Sequence, residues 1–91
     1  MIPIVWSERA LDDLDNIIAY VGVRSPQAGL RLYELIEASV RPAGEFPDMF
    51  RKGRVRGTRE IVAHPNYIVV YRATVRRILV VAVIHARQKY P

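Results

Sequence analysis

Near the C-terminus His85 and Arg87 stand two residues apart, with Lys89 and Tyr90 just beyond them. On a β-strand that spacing turns both His85 and Arg87 toward one face. A histidine or tyrosine that moves protons, beside an arginine that holds phosphate, is a set that metal-free phosphodiester cleavage could use, with Lys52 as a further cation. The plainer reading leaves His85 as a hydrogen-bonded residue at the end of a sheet and Tyr90 as a packing residue. A second constellation is Arg51, Lys52, Arg54, Arg56 and Arg59, five cations within nine residues, which run from a loop into a strand. They could face phosphate or an acidic peptide, or form a solvated loop. Glu60 follows them as either the partner of a neighbour or a surface charge. His64 precedes Pro65 in a tight turn, where a structural role is expected, and Tyr67 and Tyr71 share one strand face suited to core or cross-strand packing.

Other chemistries lack their residues. There are two histidines and no cysteine, so no thiol nucleophile, disulfide frame or recognised metal-ligand spacing exists. No glycine-rich phosphate loop and no nucleophile-elbow motif occurs, and a cofactor-free protein is expected. The net charge of +5 is unevenly spread. Residues 1–50 hold four arginines against eight carboxylates, a balance of −4, whereas residues 51–91 hold ten cations against Glu60 alone, a balance of +9. Such a half-chain attracts phosphates or an acidic protein segment.

These residues need a scaffold, and 91 residues with 51% hydrophobic content suffice for one compact core spanning the whole chain. The longest apolar run, Ile78 to Ile84, is too short to cross a bilayer, and no basic stretch leads an apolar one at the N-terminus. A cytoplasmic location without membrane contact is expected. Ile2 to Trp6 reads as a short strand, and Ser7 caps a helix with Leu11, Leu14, Ile17, Ile18 and Val21 as its apolar stripe; Asp12, Asp13, Asp15 and Asn16 face away. Gly22 is expected to end that helix. Ser25 and Pro26 open the next, with Ala28, Leu32, Leu35, Ile36 and Ser39 facing inward and Pro42 and Gly44 as its stop. After a loop over residues 45–57 the period changes to two. Strands are expected over Thr58–Ala63, Tyr67–Ala73 and Arg77–Arg87, the last central and covered on both faces along Ile78–Ile84. The fold class is α+β: an N-terminal strand, an antiparallel αα-hairpin, then three antiparallel strands. Leu14, Ile17, Leu32, Leu35, Val81 and Val83 are the expected core.

The order of these elements, the opening Trp6, Ser7, Ala10, Asp13 and Leu14, the run Gly57–Glu60, the run Tyr67–Arg72 and the ending Val83–Pro91 together resemble the RelE/ParE toxin superfamily of type II toxin–antitoxin systems. The resemblance spans essentially the whole chain. It implies a β-α-α-β-β-β toxin that is neutralised, in a hetero-oligomer, by a cognate antitoxin whose acidic C-terminal segment wraps around it. It also implies one of two targets. RelE-like members cut mRNA on the ribosome without metal, which would engage His85, Arg87, Tyr90 and Lys52. ParE-like members poison DNA gyrase and lack a convincing acid–base set. The ending around His85, Arg87, Gln88 and Pro91 is closer to ParE-like plasmid-stabilisation proteins, and lysines beyond Lys52 and Lys89 are lacking. Arg51, Lys52, Arg54, Arg56, Arg59 and Arg87 are then the residues expected to meet target or antitoxin.

Overall fold

A computed structural model describes residues 1–90. The chain runs β1 (Ile4–Trp6), α1 (Glu8–Arg24), α2 (Pro26–Ser39), α3 (Arg41–Glu45), β2 (Arg51–Lys52), β3 (Arg59–His64), β4 (Tyr67–Ala73) and β5 (Ile78–His85). The strands form one sheet in the order β1-β5-β4-β3-β2. β2 through β5 pair antiparallel, and β1 joins β5 in parallel. The α+β class stands, with α3, the two-residue strand β2 and the parallel placement of β1 added to the sequence expectation.

The opening motif explains how the first helix is seated. The Ser7 side chain accepts the Ala10 N–H at 3.0 Å and donates to the Val81 carbonyl at 3.3 Å, so one hydroxyl both caps α1 and joins it to β5. Ala10 is fully buried under the helix, where a larger side chain would lift α1 off the sheet. Asp13 does not face away as its charge suggested. Its carboxylate accepts the Val83 N–H at 3.0 Å, satisfying an edge donor of β5 beyond the end of β1. Gly22 does not end α1; it lies inside the helix, and a Cβ on Gly29 of α2 would stand only 3.2 Å from its Cα. The glycine pair lets the two helices close.

The inner stripe of α2 is Gly29, Leu32 and Ile36, continued by Val40. Leu35 is a correction: it is 45% exposed, beside the stripe rather than on it. Leu11 likewise stands 47% exposed. Pro42 and Gly44 do not stop α2, which already ends at Ser39; they lie within α3, where the proline occupies its first turn.

The last strand carries the other correction. Tyr71 pairs with Val80 and Val70 with Ala82, so Val81 is an extra residue in β5, a β-bulge. The bulge breaks the period of two. Ile78, Val80 and Val83 join the cluster under the helices, while Ala82 and Ile84 join Ile68 and Val70 on the other face. Val81 is half-buried against that second cluster instead of in the main core. Strand β5 ends at His85, two residues short of the expected Arg87, because Ala86–Gln88 turn back across the sheet end.

Candidate functional site

The five-cation segment is organised by one carboxylate. Glu60 is 3% exposed on the sheet face away from the helices, since its β3 neighbours Ile61 and Ala63 pack into the helix-side cluster. It accepts the Arg51 guanidinium at 3.1 Å and the Arg54 backbone N–H at 2.9 Å, and the Arg54 Nε lies 3.7 Å away. A buried carboxylate without partners would cost several kcal/mol, about 3–5, so it holds the loop firmly to the strand. Arg54 in turn donates to the Gln88 carbonyl at 3.0 Å, tying the loop to the C-terminal segment. Arg59 donates to the Phe50 carbonyl at 2.7 Å and lies 3.6 Å from the exposed Asp48. Arg51, Arg54 and Arg59 are therefore committed to the fold. Among the described residues, Lys52 and Arg56 meet no carboxylate within ion-pair distance.

The proposed acid–base residues are not gathered. His85 packs edge-on to Tyr67, 5.6 Å between ring centres, and its Nδ1 accepts the Arg87 N–H at 3.1 Å. Both rings line a groove of about 520 Å³ beside α1, with Asp13, Asn16, Ile17 and Tyr20 on its other wall. Arg87 lies in the turn after β5 and is exposed, so the strand spacing that would align it with His85 does not apply. Tyr90 packs against the Ile68, Val70, Ala82 and Ile84 cluster on the opposite face, with the Arg9 guanidinium 6.0 Å from its ring centre. Lys52 pairs with Arg59 at the far end of β3 from His64, roughly 16 Å along five strand steps. His85, Tyr90 and Lys52 thus occupy two faces and two ends of one sheet.

His64 accepts the Asn66 N–H at 3.0 Å and tilts against Tyr67 at 5.7 Å, which makes it a turn residue. Tyr71 is fully buried and donates to the Pro47 carbonyl at 2.6 Å, fixing the segment that leads into β2. Burial pushes its phenol above the ordinary tyrosine range, with the nearby Arg59 charge working against that shift. The sequence offered no signal for Asp13 as a sheet ligand and left Glu60 open between a neighbour's partner and a surface charge; their partners lie 70 and 6–9 residues away.

The family of type II toxins called the ParE toxin of the parDE system matches residues 4–90. The chain belongs to that family. Toxin RelE2 of Caulobacter vibrioides is 32% identical over 88 residues, covering 94% of this chain and 97% of that protein. The candidate toxin Y4kP of Sinorhizobium fredii is 39% identical over 87 residues, covering 94% of this chain and 90% of its own. The fold is shared with a chain of the chromosomal ParDE toxin–antitoxin system from P. aeruginosa, at a TM-score of 0.80 and 22% identity over 93% of this chain and 96% of that one. This ParE-family chain is accordingly the toxin component of a type II toxin–antitoxin system of the ParE/RelE superfamily. None of its helices is long and apolar enough to cross a membrane, among the described residues.

Proposed function

We propose that this toxin is a ParE-like poison of DNA gyrase that blocks replication by binding rather than by cutting nucleic acid. The observation that supports this reading is the dispersal of His85, Tyr90 and Lys52 over separate faces and ends of the sheet. General acid–base cleavage needs its proton donor and acceptor within hydrogen-bond reach of one phosphodiester. Residues spread over roughly 16 Å meet that need only if the chain refolds around its substrate. A binding surface has no such requirement.

A cognate antitoxin holds the toxin inactive in the cytoplasm, in a hetero-oligomer. Its acidic C-terminal segment meets the basic half through the exposed Lys52, Arg56 and Arg87, on a loop that Arg51, Arg54 and Arg59 hold in shape, ordering as it wraps, and an interface above about 2,000 Å² offsets that loss of entropy. A second reading, ribosome-dependent mRNA cleavage, draws support from the relative named RelE2.

One experiment separates the two. His85→Gln keeps a polar side chain of similar size and removes the titrating group. Growth arrest by the induced, antitoxin-free variant should match the parent, and supercoiling by purified gyrase should be inhibited equally by both. A ribonuclease that uses His85 would lose roughly 10²–10⁴-fold in rate. Loss of arrest in a folded variant, with mRNA 5′ ends mapped to cuts by the parent, would overturn the gyrase reading.

A further inference from the structure

The opposite end of the sheet from His85 carries cations that no carboxylate neutralises. Lys52, Arg56, Arg72, Arg76 and Arg77 are all exposed, and among the described residues none lies within ion-pair distance of a carboxylate. They come from two connections that the sheet sets side by side. Arg56 precedes β3, Arg72 lies near the end of β4, and Arg76 and Arg77 form the β4–β5 turn. The Arg72 guanidinium donates to the Arg56 carbonyl at 3.2 Å, which joins the two connections directly.

Both connections are held in shape. Gly53 donates to the Thr58 carbonyl at 2.8 Å, and the Thr58 hydroxyl donates to the Val55 carbonyl at 2.6 Å. Gly57 adopts φ +83°, open chiefly to glycine, and a Cβ there would lie 2.7 Å from the Arg72 Nη1. In the β4–β5 turn the Thr74 hydroxyl accepts the N–H groups of Arg76 and Arg77 at 3.2 and 3.1 Å. The backbone of the turn is thereby tied inward and both guanidinium groups stay free. Against the first connection lies a hollow of about 380 Å³, lined by Lys52, Arg56 and Arg59 with Asp48 as its one carboxylate and Ala73 at the end of β4.

We propose that this end of the sheet binds the sugar–phosphate backbone of duplex DNA without reading its sequence. Neighbouring strands lie about 4.8 Å apart, so connections on β3, β4 and β5 present their cations across roughly 10 Å. Duplex DNA offers one negative charge per about 1.7 Å of its axis, enough to engage several of them together. Four of the five cations are arginines, whose planar fork fits phosphate oxygens in pairs. Neither segment, 51–59 or 72–77, contains an aromatic residue, so neither offers the stacking platform that single-stranded RNA uses. The proposal rests on the gyrase reading for its biological place, because gyrase works on duplex DNA.

The test uses the free, full-length toxin and labelled duplexes of about 30 base pairs in two unrelated sequences, followed by fluorescence anisotropy. Both duplexes should bind alike, and affinity should fall roughly 40–150-fold between about 50 and 200 mM salt, as three or four phosphate contacts require. The Arg76→Gln/Arg77→Gln double variant should bind about tenfold more weakly and flatten the salt slope by about two. Arg56→Gln, on the other connection, should weaken binding in the same direction. Arg24→Gln/Arg31→Gln, on the helices, should bind as the parent does. The proposal fails if the parent ignores duplex at low salt, if the helix variant loses as much as the turn variant, or if single-stranded RNA or a glutamate-rich peptide competes better than duplex. Gyrase supercoiling is measured in parallel. A toxin that binds duplex but leaves gyrase untouched sinks the gyrase reading and not the DNA site; one that inhibits gyrase but ignores free duplex sinks the DNA site alone.

Discussion

The two ends of the sheet divide the chain's polar residues into different kinds of surface. At the end where β3 begins, a buried carboxylate, a left-handed glycine and two hydroxyl-stapled turns fix the backbone, and the cations left over point into solvent. At the end where β5 finishes, two imidazoles and Tyr67 pack on one another beside a groove under α1, and their hydrogen bonds close local turns. Charge is concentrated at one end and titratable rings at the other. A phosphodiester held by the first end lies out of reach of a proton carried by the second. The arrangement suits contact with a large partner better than chemistry on a small one, which is how the gyrase reading gains its support.

That contrast can be broken first at Glu60. Glu60→Ala removes the anchor of the 51–54 segment and should cost about 3 kcal/mol in urea unfolding, since two half-exposed arginines lose their buried partner yet can still reach water. A cost below about 0.5 kcal/mol would mean that the basic end is not held by this carboxylate. Gly57→Ala comes next, at about 1–2 kcal/mol, because alanine is strained at φ +83° and its Cβ displaces the Arg72 guanidinium. Thermal melts would read it.

Tyr71 predicts a pH dependence. Its phenol is raised in the folded protein, so the unfolded chain releases that proton first. Its contribution to stability is complete below the unfolded value of about 10 and declines as pH rises from there through the folded value. Tyr71→Phe should remove that part of the alkaline decline, as compared by denaturation at several pH values. The smallest effect belongs to the other end: His85→Gln should shift stability by no more than about 1 kcal/mol, because the exposed ring makes a local turn contact and one edge-on contact with Tyr67. A large loss there would show that the imidazole end is as firmly built as the basic one.

Most elements were legible because their signals are local. Ser7 and Ser25 cap the helices expected of them, with the Ala10 and Ala28 N–H groups bonded to their hydroxyls at 3.0 and 3.1 Å. The turn at Pro65 and Asn66 joins the strands it was expected to join. The misplacements arose where a side chain's surroundings depend on another element. Leu35 and Ile36 both fit a helical period, and only the close approach of α1 at Gly22 and Gly29 rotates α2 so that Ile36 is buried and Leu35 is not. Val81 and Val83 fit a period of two until the bulge shifts the register.

From sequence alone came the α+β class, the helical hairpin, the division into an acidic first half and a basic second half, and the toxin superfamily, all properties of residue type and short-range order. Tertiary structure alone decided which cations remain available. Arg51 and Arg54 belong to Glu60, Arg59 belongs to Phe50 and Asp48, Arg72 is exposed but bonded to the Arg56 carbonyl, and Lys52, Arg56, Arg76 and Arg77 are left to solvent. It also separated His85 from Tyr90, placing one on each face of the sheet. The reason is physical: a run of arginines fixes the amount of charge, but the charge each one presents depends on whether a carboxylate or carbonyl from elsewhere in the chain has been folded against it.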